Sequence, residues 1–167
     1  MVGVVIVAHS FIGKELISTA EYVVGKMEGI DAVSIDCQMD ALGAREIISE
    51  AIKKVDQGDG VLILTDLFGG SPSNIAFSFL NKDKIEVITG VNLPMILTFW
   101  NKRRNMGLME LAKSLQLSGR RNIVVAKNLM ETRGVFRGIP TRERRLSQKN
   151  KKKILIVDDD SPSLSLS

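Results

Sequence analysis

Several residue types are almost missing from this 167-residue chain, which has one cysteine, one histidine, one tryptophan, one tyrosine and four prolines. A lone Cys37 cannot close an internal disulfide, which fits a reducing compartment, and it is assigned no function. With so few ligating residues there is no His/Cys cluster of zinc-binding spacing, and no glycine-rich loop ending in lysine that would cradle a nucleotide phosphate. No stretch approaches the roughly 18 consecutive apolar residues of a membrane span. The N-terminus has no basic segment ahead of an apolar one. The expectation is a cytoplasmic protein.

Net charge is also lacking over most of the length. Up to Arg133 there are 15 basic and 15 acidic residues, and the whole excess of +4 falls in residues 134–167, with 8 basic and 4 acidic. The basic balance therefore describes a tail, and gives no reason to expect nucleic acid as a partner of the folded part. What the chain does have is 44% apolar residues, in a length sufficient for one domain with a sizeable core.

Those apolar residues alternate between two periods. Val2 to Ala8 reads as a strand, and Lys14 to Met27 as a helix ended by Gly29, with Leu16, Ile17, Ala20, Val23, Val24 and Met27 at helical spacing. Ala32 to Ile35 is a second strand, and Asp40 is placed to cap a helix over Ala41 to Val55. Val61 to Leu64 is continuous and partly β-branched, as for a strand covered on both faces. Ser71 as N-cap and Pro72 as first helical residue predict the next helix start, with its body over Ile75 to Leu80. Ile85 to Thr89 is the fourth strand. Met95 to about Arg103 and Leu108 to Leu117 are two further helices, and Asn122 to Ala126 is a short last strand. Strands alternating with helices predict an α/β fold with a doubly wound, mainly parallel sheet of four strands and right-handed crossovers.

The chemistry gathers at two strand ends. His9 follows the first strand, and Asp66 stands in the polar turn Thr65-Asp66-Leu67-Phe68-Gly69-Gly70-Ser71-Pro72-Ser73-Asn74 after the third. If those strands are neighbours, both residues meet in the crevice where open α/β sheets bind ligands. Each also has a structural use, His9 as a satisfied scaffold residue and Asp66 as a turn residue bonding its own backbone. Together they suit nucleophilic chemistry. A neutral imidazole attacks through the nitrogen without a proton, and a carboxylate on the other nitrogen fixes that tautomer and supports the cationic ring formed on attack. Backbone N–H groups at Gly69-Gly70, the Ser71 hydroxyl and a helix N-terminus would form an anion site beside it, suited to a phosphoryl group. A Ser-His-Asp hydrolase is the rival use, but no G-x-S-x-G elbow is present.

Val7-Ala8-His9-Ser10, the Thr65–Asn74 run and Gly90-Val91-Asn92-Leu93-Pro94-Met95 resemble, in order, the three signature segments of the mannose-family enzyme IIA of the bacterial phosphoenolpyruvate-dependent sugar phosphotransferase system. The resemblance covers residues 1 to about 130. It implies that His9 accepts a phosphoryl group from phospho-HPr and passes it to a IIB protein. It also implies that Asp66 orients the ring, that Ser71 borders the phosphate, and that, since phosphoryl moves between histidines, no metal or nucleotide cofactor is needed; Gly69, Gly70 and Ser10 are the other phosphate-binding residues expected. Finally, it implies a homodimer in which the last strand, near Ile123 to Ala126, crosses to the partner's sheet, and membrane contact only through a permease complex.

Other readings stay open: a regulatory IIA-like protein whose phosphorylation state controls a partner, and a IIA-like subunit of a dihydroxyacetone kinase relay. Trp100 with Lys102, Arg103 and Arg104 suits either an acidic partner or the carboxyl end of its own helix. The division expected is a IIA domain over 1–133 and a basic tail over 134–167. That tail ends in Lys153-Ile154-Leu155-Ile156-Val157-Asp158-Asp159-Asp160, which is similar to the first strand and acidic cluster of a response-regulator receiver. The sugar cannot be read from these residues.

Overall fold

The computed structural model describes residues 1–36, 38–80 and 84–127. Cys37, the turn at 81–83, the boundary at Arg133 and the tail with its receiver-like segment lie outside the described residues. Met1–Val124 forms one compact unit.

Four apolar, β-branched runs form strands: β1 (Gly3–His9), β2 (Ile30–Ile35), β3 (Val61–Thr65) and β4 (Ile85–Thr89). All pair in parallel, in the order β2-β1-β3-β4. β1 and β3 occupy the centre, and β3 is buried at every position, which is why its sequence has no polar alternation. Among the described residues five helices cover the two faces: α1 (Ile12–Val24), α2 (Ala41–Val55), α3 (Ser71–Phe77), α4 (Leu93–Lys102) and α5 (Leu108–Arg121).

Strand alternation divides the core in two. Val4, Ile6, Ala8, Leu62 and Leu64 pack with α1, α4 and α5 on one face. Val5, Val7, Val61 and Ile63 pack with α2 and α3 on the other. Removing one of these side chains, as in Leu64→Ala, costs about 2–5 kcal/mol, from lost burial plus the cavity left behind. Gly3 opens β1 against the Val55 carbonyl at the end of α2, where any added Cβ would collide.

The helix ends show which signals act. The Asp40 carboxylate accepts from the Gly43 N–H at 2.6 Å and starts α2 as predicted. The first helix, however, begins at Ile12 and ends at Val24, with Gly25 and not Gly29 as its stop; Gly25 takes a φ of +82°. The N-cap of α3 is Gly70 and not Ser71, so Pro72 is the second helical residue, where its missing N–H still costs no helical bond. That helix closes at Phe77. Residues 78–80 tighten into i→i−3 bonds instead of extending it to Leu80.

The predicted last strand does not form within this chain. α5 continues to Arg121, and the Asn122 side chain donates to the Ser118 carbonyl at 2.9 Å. Ile123 to Val125 then have no ladder partner among the described residues, and Ala126 begins a helical turn. A strand exists only against a neighbour, and this segment leaves Ile123, Val124 and Val125 exposed.

Candidate functional site

In this strand order the chain leaves β1 and β3 toward opposite faces of the sheet, so a crevice opens between their carboxyl ends. The parallel register sets Val7 beside Thr65, so that His9, two residues on, and Asp66, the first residue after β3, both reach the crevice rim. Two residues 57 positions apart in the chain thus become partners. Asp66 Oδ2 accepts from His9 twice, from the main-chain N–H at 2.9 Å and at ring Nδ1 at 2.8 Å. Its Oδ1 accepts from the Leu67 N–H at 2.8 Å, the local turn bond that is the ordinary use of such an aspartate. Asp66 therefore makes both the contact with His9 and the local turn bond.

Burial pushes the Asp66 carboxyl up, but the two hydrogen bonds from His9, the nearby imidazole and the Leu67 N–H outweigh it and hold the group below its ordinary value of 3.8. An ionised carboxylate only accepts hydrogen bonds. Nδ1 must then carry the proton, and in the neutral ring Nε2 holds the free lone pair. The Asp66 side chain is 12% exposed and the His9 side chain 45%, so the orienting group is sheltered while the ring is reachable by a large partner.

Gly70 approaches the reactive edge of the ring. A Cβ placed on it would stand 3.1 Å from His9 Cε1 and 3.7 Å from Nε2. Gly69, with φ +82°, makes the preceding turn, and exposed Ser71 opens α3 immediately after it. α3 has only seven residues, so the attraction of an anion here rests on the local N–H groups of the turn more than on a helix dipole. Ser10 follows His9 directly in the chain. It takes φ +51° and lines a cavity of about 600 Å³ between α1 and the connection after β4, together with Phe11, Glu15, Val91 and Leu93.

Sequence reasoning did not single out the apolar rim of the site. Phe11 and Ile12, just after His9, and Leu67 and Phe68, just after Asp66, are all exposed, and Phe68 is braced against Phe77 with ring centroids 6.2 Å apart. The signal available was a Leu-Phe pair inside a polar turn. Arg103 is buried, donates to the Glu28 carbonyl and to Gln57 Oε1, and lies over Phe99 and Trp100, so it joins loops at the far end of the sheet.

Fold and site define a class: a doubly wound α/β protein presenting one carboxylate-held imidazole at the switch point of its sheet. A family profile described as "PTS system fructose IIA component" matches residues 3–116, and the chain belongs to that family, the mannose-type IIA proteins of the sugar phosphotransferase system. It is 27% identical over 132 residues to the fructose-specific EIIA component of Bacillus subtilis, covering 78% of this chain and 90% of that protein. With the mannose-specific EIIAB component of Escherichia coli K12 it shares 34% identity over 96 residues, 57% of this chain. That match spans only 30% of the longer E. coli protein. Among solved structures, an EIIA from Streptococcus agalactiae superposes with a TM-score of 0.70 at 23% identity, over 77% of this chain and 99% of that one. The mannose/sorbose IIA subunit of Enterococcus faecalis superposes with 0.67 at 22%, over 74% and 92%. At such identities the superpositions establish the shared fold. Among the described residues no helix is long and apolar enough to cross a membrane.

Proposed function

We propose that this protein is a cytoplasmic phosphocarrier that takes a phosphoryl group from phosphohistidine on HPr and delivers it to a IIB histidine during sugar uptake. One observation carries the reading: a single carboxylate oxygen holds both the backbone and Nδ1 of a half-exposed histidine, leaving Nε2 free to attack. In the forward step the Nε2 lone pair forms a bond to phosphorus while the donor's N–P bond breaks, and the bonding pair returns to the donor imidazole. The His9 ring becomes cationic, with the proton on Nδ1 still donated to the Asp66 carboxylate, and the N–H groups of the Gly69-Gly70-Ser71 turn face the incoming anion. Delivery to IIB is the same step in reverse.

The exposed Phe11, Ile12, Leu67 and Phe68 suit a docking face that donor and acceptor use in turn. The outer edge of β4, unpaired among the described residues, and the exposed Ile123–Val125 segment suit strand exchange in a homodimer. Incubation with phosphoenolpyruvate, enzyme I and HPr should add one acid-labile phosphoryl group per chain, and His9→Ala should add none. Phosphorylation of the alanine variant would refute the assignment.

A further inference from the structure

Thr65, Ser73 and Arg103 are the polar side chains buried among the described residues, and the first two belong to the Thr65–Asn74 segment that forms the site. Ser73 Oγ donates to the Gly70 carbonyl at 2.8 Å. Thr65 Oγ1 has no hydrogen-bond partner among the described residues, although the residue is fully buried. Its carbonyl, by contrast, is fully used: it accepts from the Gly90 N–H at 2.8 Å and the Val91 N–H at 2.9 Å, which ties the third signature segment to the second.

Strand alternation points the Thr65 side chain to the α2/α3 face, with Val61 and Ile63. In register it lies beside Val7, and His9 follows Val7 by two residues on the same face. Thr65 thus occupies the layer next below the imidazole, on the side where Gly70 meets the ring. A buried hydroxyl without a partner destabilises the state that contains it, whereas valine would fill the same shape at no such cost. In the free protein this hydroxyl only costs stability.

We propose that Thr65 is a positioning residue whose hydroxyl is unpartnered while His9 is free and gains a hydrogen bond when His9 carries the phosphoryl group and the Gly69-Gly70-Ser71 turn settles around the anion. The inference rests on the phosphocarrier reading. A bond made only in the loaded state stabilises that state relative to the free one, and by linkage favours retention of the phosphoryl group.

The test compares wild type, Thr65→Val and Thr65→Ser in three measurements: melting of the free protein, the equilibrium of phosphoryl exchange with HPr, and the ³¹P resonance of the phosphohistidine. Thr65→Val should melt at or above wild type when free, yet hold phosphoryl about tenfold less favourably, the worth of one hydrogen bond, with a shifted ³¹P resonance. Thr65→Ser, which keeps the hydroxyl, should exchange like wild type. A Thr65→Val protein with wild-type exchange and an unmoved resonance overturns the inference, and so does one that melts lower or fails to fold, since its hydroxyl was then bonded in the free state. Wild type that takes no phosphoryl on His9 overturns the phosphocarrier reading itself, and this inference with it.

Discussion

Asp66 grips His9 at two points through one oxygen, Oδ2, at 2.9 Å from the main-chain nitrogen and 2.8 Å from ring Nδ1. The carboxylate therefore sets where the imidazole stands as well as which nitrogen bears the proton. Asp66→Asn keeps the shape but replaces a pure acceptor with an amide that can also donate to Nδ1 and so favour the wrong tautomer. The variant should fold and accept phosphoryl slowly, with a loss of ~10-fold to ~10⁴-fold, between ordinary proton-transfer effects and the Asp-to-Asn case of the serine proteases. Wild-type rates in a folded Asp66→Asn protein would leave Asp66 as a turn residue alone.

The same pair predicts a pH dependence of stability. Because the folded protein holds the Asp66 carboxyl below its ordinary 3.8, the contribution is complete above that value and is lost as pH falls through the depressed folded one. Denaturant melts of wild type and Asp66→Asn should differ at pH 7 and converge in strongly acidic buffer. A gap that persists unchanged at the lowest pH at which both remain folded contradicts an ionised, hydrogen-bonded Asp66.

Gly70 isolates the geometry of the ring edge. Its backbone, φ −77° and ψ 166°, is open to any residue, so Gly70→Ala introduces no backbone strain. The added methyl would stand 3.1 Å from His9 Cε1, and either the ring or the turn must give way. The expected result is a melting temperature near wild type with phosphoryl transfer reduced roughly 10-fold to 100-fold, the cost of a small misplacement of a reacting group. Equal rates for both proteins would show that Gly70 does not border the transfer path.

The boundary at Arg133 is tested by removing the tail. Residues 1–133 contain all three signature segments and balance their charges, 15 against 15. Truncation after Arg133 should leave the phosphorylation rate within about twofold, as expected where electrostatic steering plays no part. A larger loss that shrinks as salt is raised would assign the basic run to partner docking.

How much of this protein was legible in its sequence depends on the range of the interactions concerned. The four strands, the sheet class, the Asp40 cap and the two chemical residues rest on period, local turn chemistry and residue type, all carried by a few neighbouring positions. The stop of α1 at Gly25, the cap at Gly70 and the loss of the last strand were not legible in the same way. Two glycines four apart compete to end α1, and a strand needs a neighbour that Ile123–Val125 do not find among the described residues. The site itself divides along the same line. The sequence alone determined that one imidazole and one carboxylate stand at strand ends, since chain chemistry places them there. Only the tertiary structure decided that β1 and β3 are adjacent and in the register that brings Asp66 Oδ2 onto His9, that Ser10 turns toward the cavity beside α1, and that Arg103 is buried. Those outcomes depend on contacts between residues tens of positions apart, and they are settled when the two faces of the sheet close over their separate cores.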